Sequence, residues 1–383
     1  KDAFDRRVNL KWTPPGRGLW MMGTKFVEER TGAALFNCAF RSTQDLSSKG
    51  GYIFSWIMDA LMVGVGVGFD TKGAGTVTIR EPVYTNDTLV IDDSREGWVN
   101  SVHILLDGFF LGANVPKFDY SAIRPEGAPI LGFGGTSSGA GPLIELHENL
   151  TQLFSDKVGE QITSVDIVDT ENLIGRCVVA GNVRRSAALA IGDYDDTRYL
   201  EMKNDQEKLY HHRWGSNNSF DAEVGMDYAW HAEQSQKNGE PGYIWLSNAR
   251  AYGRMKDGEN YDDIEVMGFN PCVEQSLHNA EMCCLVETFP AKHEDYEDYV
   301  KTLKCAYLYG KTVTLVNTHW PETNAKMLKN RRIGLSQSGI IQAFNKHGRR
   351  SMMDWCDDAY EYVRELDTEY SNWLCVPKSI KMT

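Results

Sequence analysis

Long apolar runs and a basic surface are both missing from this sequence of 383 residues. No apolar run reaches the roughly 20 residues that a membrane helix needs, because glycines interrupt the longest one, residues 56–69. We therefore expect no membrane-spanning segment. The net charge of −13 argues against a nucleic-acid-binding surface, since a phosphate backbone attracts clustered Lys and Arg.

Cysteine is also scarce, because eight residues in a chain of this length are too few for a disulfide scaffold. With no secretory signal in the sequence, we expect a reducing, cytoplasmic compartment. A zinc site needs CxxC pairs or histidines at short spacing. The cysteine-rich segment 270–284 contains only His278, so we predict no metal site.

The composition indicates a large folded core. The hydrophobic fraction is 42%, and 10 Trp, 17 Tyr and 15 Phe exclude a disordered chain. Short apolar runs bounded by glycine alternate with helical patterns, which favours an α/β fold with a largely parallel sheet. Periodicity does not distinguish an open sheet from a closed barrel. Helices are predicted at residues 141–154, 296–308, 340–344 and 359–374.

Three further segments carry local predictions. Residues 175–192 are predicted to form a strand, a loop at Gly181 and Asn182, and a second strand. GVGVGFD (64–70) lacks the spacing of a dinucleotide fingerprint and favours a glycine-lined strand that another backbone approaches closely. An acidic stretch within 193–240 predicts a surface insertion there.

The loop GGTSSGAGP (134–142) has consecutive backbone N–H groups and hydroxyls that can cradle an anion. It lacks the GK[ST] ending of a P-loop. A ligand-binding loop and a plain surface loop therefore both remain open for this segment.

The segment NPCVEQSLHNAEMCC (270–284) is the candidate chemical site. A protease-type cysteine needs a histidine base, but the local residues are Asn and Glu. These residues suit a cysteine that abstracts a hydrogen atom. Glu274 can accept a proton from one substrate hydroxyl, and Asn270 can hold another. Asn270, Cys272 and Glu274 share one face only in an extended segment, which predicts a loop or strand tip. A dithiol elsewhere would supply two electrons.

NPCVEQ resembles the finger-loop motif of ribonucleotide reductases, most closely the adenosylcobalamin-dependent class II enzymes, whose usual form is NPCGE. Other segments resemble that class in the same order, and together they cover most of the chain: TPPGRGLWMMGT (13–24), LFNCAF (35–40), GVGVGFD (64–70), IRPEGAPILGFGGTSSGAGPL (123–143) and GRCVVAGNVRRSA (175–187). The likeness is strongest to the monomeric ribonucleoside-triphosphate branch.

The resemblance implies a fold. It is a ten-stranded α/β barrel built from two half-barrels, with the finger loop in its centre. Residues 1–383 would form one such catalytic barrel, incomplete at its C-terminal end. Apolar runs such as ALFNCAF (34–40) and VTLVNT (313–318) are expected to be buried strands of the barrel.

The resemblance also implies residue roles. Cys272 would be the thiyl radical site that removes the 3′ hydrogen of the ribose, Glu274 the base at the 3′ hydroxyl, and Asn270 a ligand of the ribose hydroxyls. Cys38 and Cys283 would be the dithiol that reduces the 2′ position.

Three more sets of residues take expectations from the resemblance. Cys284 is the adjacent competitor of Cys283 as redox partner. Thr24 and Asn37 are expected to contact substrate. The remaining candidates, beside the specificity loop, are expected to communicate with an effector: Asn182, Arg184 and Arg185.

The implied activity is reduction of ribonucleotides, as triphosphates, to 2′-deoxyribonucleotides. Adenosylcobalamin would be the cofactor, a thioredoxin-like dithiol the external reductant, and a deoxynucleotide the allosteric effector. Two alternatives stay open: a subunit that uses an external di-metal radical generator, and a split-protein half that is inactive without a partner chain.

The sequence departs from the family pattern in two respects. Val273 stands where most of the class has Gly. The chain also begins with Lys and stops at VPKSIKMT, before the TxKPSGT-like phosphate loop and the C-terminal cysteine pair of the family. We therefore expect a longer product, or a complementing C-terminal chain.

Overall fold

The computed structural model describes residues 1–130, 134–180 and 186–382. In this part of the chain helices alternate with strands along most of the sequence, which confirms the α/β prediction. The strands are β1 (Trp12–Thr13), β2 (Cys38–Arg41), β3 (Gly66–Asp70), β4 (Val83–Val90), β5 (Asn114–Asp119), β6 (Ala188–Asp193), β7 (Ser216–Asp221), β8 (Gly242–Ile244), β9 (Gly268–Phe269), β10 (Ser276–Leu277), β11 (Glu281–Thr288) and β12 (Ile333–Gln337).

The α-helices are α1 (Asp2–Val8), α2 (Gly16–Met21), α3 (Lys25–Glu29), α4 (Leu46–Lys49), α5 (Tyr52–Met62), α6 (Arg95–Leu111), α7 (Gly141–Ser155), α8 (Ser164–Val179), α9 (Thr197–Glu201), α10 (Gln206–His211), α11 (Ala229–Asn238), α12 (Leu246–Ala251), α13 (Tyr296–Val313), α14 (Pro321–Asn330), α15 (Ile340–His347) and α16 (Arg349–Leu374). None of the described helices is both long and apolar enough to cross a membrane.

The chain divides into two compact units. The first comprises Lys1–Cys38, Arg250–Glu265 and Ala280–Thr383, and the second comprises Ala39–Ala249 and Val266–Asn279.

In the first unit β11 is the central strand. It pairs antiparallel with β1 and parallel with β12. Trp12, Val286 and Ala306 of α13 form a buried cluster on one face of this sheet. Because side chains alternate between the faces of a strand, Cys284 and Val286 lie on the face that α13 covers.

In the second unit four strands run parallel in the order β3, β6, β7, β8, and β2 is the neighbour of β3. Almost every residue of α5 and α8 is buried. Helix α8 begins with a capping box, in which Thr163 Oγ1 accepts from the Asp166 N–H and the Asp166 carboxylate accepts from the Thr163 N–H.

Several helices predicted from periodicity are confirmed. Residues 141–154 lie in α7, 296–308 in α13, 340–344 in α15 and 359–374 in α16. The surface insertion at 193–240 stays a prediction, and this segment includes the sheet strand β7.

Two strand predictions were wrong. Residues 175–179 are the last residues of α8, because the capping box starts a helix that continues through this apolar run. The run VTLVNT (313–318) contains the last residue of α13 and a turn, in which the Thr314 N–H donates to Gly310 O. The run ALFNCAF was half right, because β2 begins only at Cys38.

Candidate functional site

The predicted finger loop is the tip of a short hairpin in the second unit. Strands β9 and β10 pair antiparallel, with Phe269 opposite Ser276, and residues 270–275 connect them. The prediction that the NPCVEQ motif forms a loop or strand tip is therefore confirmed.

Asn270 holds this loop together from inside. It is fully buried. Its Nδ2 donates to Glu274 Oε1 at 2.6 Å, and its Oδ1 accepts from the Gln275 N–H at 3.0 Å. Its backbone N–H donates to Gln275 O, and its carbonyl accepts from the Val273 N–H. These bonds fix the Glu274 carboxylate relative to the backbone on either side of Cys272.

Cys272 and Val273 are exposed at the tip of the loop. Val273 has φ of +65°, a left-handed conformation that is strained for a β-branched residue and natural for glycine. The backbone geometry of this position thus explains why Gly is usual there in the resembling family. Val273 adopts the same kind of conformation at a cost.

Glycines of β3 lie directly against the hairpin. This confirms the prediction that residues 64–70 form a glycine-lined strand that another backbone approaches closely. A Cβ built on Gly68 would lie 1.8 Å from Phe269 O, and one on Gly66 would lie 3.2 Å from Pro271 Cγ. The alternating glycines of GVGVGFD therefore let the backbone of the finger hairpin approach β3 closely.

The predicted thiol pair lies in the first unit. The Asn37 N–H donates to Cys283 O at 3.1 Å, and Asn37 Oδ1 accepts from the Leu285 N–H at 3.0 Å. Asn37 thus ties the chain before Cys38 to β11 at Cys283. Cys38 and Cys283 are both buried, and no disulfide joins them in the structure.

Cys284, the competitor of Cys283, lies on the other face of β11. Its thiol donates to Gly310 O at 3.4 Å and to Arg332 O at 3.6 Å, beneath α13. Burial raises the pKa of this thiol to about 12. Since neighbouring residues of a strand point to opposite faces, Cys283 faces away from α13.

Thr24 lies in the same unit as the thiol pair, at the N-terminus of α3, and its hydroxyl donates to Met21 O at 2.8 Å. The sequence did not single out Arg17. Its guanidinium donates to Ala34 O at 3.2 Å, and burial lowers its pKa while the charge of Cys38 opposes that shift. The only sequence signal for Arg17 was its position between two glycines, within the segment 13–24 that resembles the family.

The structure therefore groups the predicted residues into two sets. Asn270, Cys272 and Glu274 share the finger loop of the second unit, while Asn37, Cys38 and Cys283 belong to the first. The effector candidates Asn182, Arg184 and Arg185 lie outside the described residues.

Known proteins of similar sequence and structure are ribonucleotide reductases. A family profile described as "B12-dependent ribonucleotide reductase, insertion domain" matches residues 73–154, a segment that the sequence patterns did not mark as an insertion. A crystal structure of a B12-dependent (class II) ribonucleotide reductase superposes with a TM-score of 0.88 at 31% identity, over 99% of this chain and 64% of that one. This match confirms the predicted fold class.

Curated relatives cover the whole chain. A probable adenosylcobalamin-dependent ribonucleoside-triphosphate reductase of Dictyostelium discoideum is 47% identical over 100% of this chain and 53% of its own length. The adenosylcobalamin-dependent ribonucleoside-triphosphate reductase of Euglena gracilis gives the same three values. The corresponding Levilactobacillus brevis enzyme is 36% identical, over 100% of this chain and 62% of its own.

The fold, the finger loop and these relatives together define the class: the chain belongs to the adenosylcobalamin-dependent (class II) ribonucleotide reductase family. It spans about half the length of the first two curated relatives.

Proposed function

We propose that this chain carries catalytic residues of an adenosylcobalamin-dependent ribonucleotide reductase that converts ribonucleoside triphosphates into 2′-deoxyribonucleotides. The observation that supports this most directly is the finger loop, in which Asn270 holds the Glu274 carboxylate at 2.6 Å while Cys272 is exposed at the tip. The names of the relatives that cover the whole chain support the same activity.

In this proposal Cys272 is the thiyl radical site that removes the 3′ hydrogen of the ribose. Glu274 accepts the proton of the 3′ hydroxyl, which makes departure of the 2′ hydroxyl easier once a radical occupies C3′. Asn270 has two tasks: it orients Glu274, and it offers its remaining amide hydrogen to a ribose hydroxyl. A buried amide suits both tasks, because it carries no charge that would compete with the carboxylate.

Cys38 and Cys283 are the proposed reductant. The C2′–O bond breaks and the oxygen leaves as water. The two thiols supply two electrons, become a disulfide, and leave a hydrogen on C2′. The face of β11 supports Cys283 over Cys284, because the Cys284 thiol is bonded to two carbonyls beneath α13. A thioredoxin-like dithiol would return the pair to the reduced state.

The residues of the finger loop fit the proposed cofactor, because the thiol of Cys272 is exposed and its neighbours Pro271 and Asn270 are buried. Adenosylcobalamin, when bound, supplies by homolysis of its cobalt–carbon bond the radical that generates the thiyl group at Cys272. The chain's own contribution is to hold Cys272 at the hairpin tip, with Asn270 fixing the backbone on both sides.

Triphosphate substrates, a deoxynucleotide effector and the thioredoxin-like reductant belong to the proposal for the whole protein. Thr24 and Asn37 are the proposed substrate contacts of the first unit, and Asn37 also links Cys38 to β11. Asn182, Arg184 and Arg185 are proposed to communicate effector binding.

Anaerobic formation of deoxynucleotides from the four ribonucleoside triphosphates tests the proposal. The whole protein would be assayed with adenosylcobalamin and a dithiol, next to Cys272→Ser as the inactive variant and Cys356→Ser as the matched control. Product should require the cofactor, disappear in Cys272→Ser and persist in Cys356→Ser. Turnover of Cys272→Ser at the wild-type rate would overturn the assignment. Turnover without cobalamin after addition of a di-metal partner would overturn the proposed cofactor, because the partner would then be the source of the radical.

A further inference from the structure

A buried network of charges lies at the start of β11. Arg332 makes a two-pronged pair with Asp263, at 2.6 Å from Nη1 and 2.7 Å from Nη2, and its Nε lies 2.9 Å from Glu281 Oε1. All three side chains are almost fully buried, with side-chain exposures of 0%, 4% and 1% for Arg332, Asp263 and Glu281. No step of the proposed reaction uses them.

Two more residues complete the network. Asn330 Nδ2 donates to Glu281 Oε1 at 2.9 Å, and Lys381 Nζ lies 3.8 Å from Asp263 Oδ2. Two cations thus face two carboxylates. Burial works against the charge of Arg332, but the carboxylates of Glu281 and Asp263 outweigh it and hold its pKa above the ordinary value.

The network lies on the same face of the sheet as Cys283. Glu281 precedes Cys283 by two residues in β11, and alternate residues of a strand share a face. Strands β11 and β12 pair in parallel with Cys284 opposite Ile333, so that Arg332 comes opposite Cys283. The network therefore holds the backbone near this thiol at two points. One is Glu281, two residues before Cys283 in β11, and the other is Arg332, opposite Cys283 on the neighbouring segment.

Disulfide formation makes strict geometric demands. The two Cα atoms must lie about 4.4–6.8 Å apart with their Cβ vectors converging. On the side of Cys38 the backbone is held by the Asn37 N–H bond to Cys283 O. On the other side the strand begins only at Glu281, directly after Ala280, whose φ is +58°. A strand end of this kind frays unless side chains hold it.

We propose that Arg332, clamped between Asp263 and Glu281, is a positioning residue that holds Cys283 in register for disulfide formation with Cys38. This inference rests on the proposed function, which pairs these two thiols. Arg332 suits the role because its planar guanidinium makes two parallel hydrogen bonds to Asp263 and an ion pair with Glu281 at Nε. The compact ammonium group of a lysine cannot form this two-pronged pair.

The test is the equilibrium between the thiol pair and glutathione in the whole protein. Glutathione disulfide takes two electrons and two protons from Cys38 and Cys283 and becomes two molecules of glutathione, while the cysteines form their disulfide. Mass spectrometry of proteolytic peptides identifies which cysteines are joined. The equilibrium constant gives the effective concentration of one thiol at the other.

Asp263→Asn and Glu281→Gln are the test variants, because each keeps the size of the side chain and removes one charge of the network. Asp298→Asn is the matched control, since Asp298 also pairs with one arginine and one lysine of the same unit, Arg6 and Lys11. We expect both test variants to lower the effective concentration at least tenfold and the control to stay within twofold of wild type. Arg332→Lys should lower it less than Arg332→Met.

The outcomes separate the two proposals. Wild-type protein that joins Cys38 to Cys284, or joins neither, would overturn the thiol assignment of the proposed function and this inference with it. Wild-type protein that joins Cys38 to Cys283, with Asp263→Asn and Glu281→Gln within twofold of it, would overturn the positioning role alone. An equal loss in folded Asp298→Asn would show a general effect of destabilisation and would also overturn it.

Discussion

Replacing Cys284 with alanine tests whether this cysteine contributes to packing beneath α13 or belongs to the redox-active thiol pair. Cys284 is 1% exposed, and removal of its thiol leaves a small cavity beneath α13 and deletes the hydrogen bonds to Gly310 O and Arg332 O. We expect a loss of about 1–2 kcal/mol in the free energy of unfolding at pH 8. Disulfide formation between Cys38 and Cys283 should persist in this variant and disappear in Cys283→Ala.

The shifted pKa of Cys284 gives this prediction a second readout. Burial raises the pKa of the folded-state thiol from 9.0 to about 12, so the unfolded chain loses the proton first as the pH rises. The stability that the neutral thiol contributes is therefore complete below about pH 8 and is lost between pH 9 and 12. By linkage the loss is on the order of 1 kcal/mol at pH 10.

Urea unfolding of wild type and Cys284→Ala at pH 8 and pH 10, under anaerobic reducing conditions, measures this difference. Other groups that titrate in this range are present in both proteins and cancel in the comparison. The difference in the free energy of unfolding between wild type and Cys284→Ala should shrink by on the order of 1 kcal/mol between the two pH values. An unchanged difference would refute the burial argument for Cys284 and reopen its competition with Cys283.

Three further predictions test the finger hairpin and its contact with β3, and each is measured by hydrogen exchange of residues 268–277. Val273→Gly should protect the loop better than Val273→Ala by about 1 kcal/mol, since only glycine takes a φ of +65° without strain; equal protection would argue against the left-handed conformation. Gly68→Ala should expose the hairpin far more than Gly66→Ala, because the new Cβ would meet Phe269 O at 1.8 Å and Pro271 Cγ at 3.2 Å, respectively; similar effects would contradict the close approach. Asn270→Ala should cost about 2–4 kcal/mol of loop stability, because it removes the hydrogen bonds to Glu274 and to the Gln275 N–H. Wild-type protection of the loop in that variant would contradict the role of Asn270 in holding the loop together.

Local sequence patterns predicted part of this structure correctly. The tip position of NPCVEQ followed from the requirement that alternate residues share a face, and the glycines of 64–70 indicated close backbone approach. Four helices were predicted from apolar spacing. The strand predicted at 175–180 failed because an apolar run that short suits a buried helix equally well. The capping box that decides the matter lies more than eight residues earlier, at Thr163.

Other features were beyond local reasoning because distant residues create them. Asp263 and Arg332 are 69 positions apart, and nothing near either one in the sequence indicates a pair. The resemblance already favoured Cys283 over Cys284, but the geometric support for it comes from the position of α13 against β11, which is a tertiary fact. The insertion domain at 73–154 has no compositional boundary that marks it.

The central claim is that Cys272 is the hydrogen-abstracting thiol, and isotope exchange tests it most directly. The whole protein would be incubated anaerobically in D₂O with adenosylcobalamin and an effector, and deuterium in the cobalt-bound methylene of the cofactor would be measured by mass spectrometry. We predict exchange in wild type, in Cys38→Ser and in Cys283→Ser, and none in Cys272→Ser. Exchange at the wild-type rate in Cys272→Ser would contradict the account.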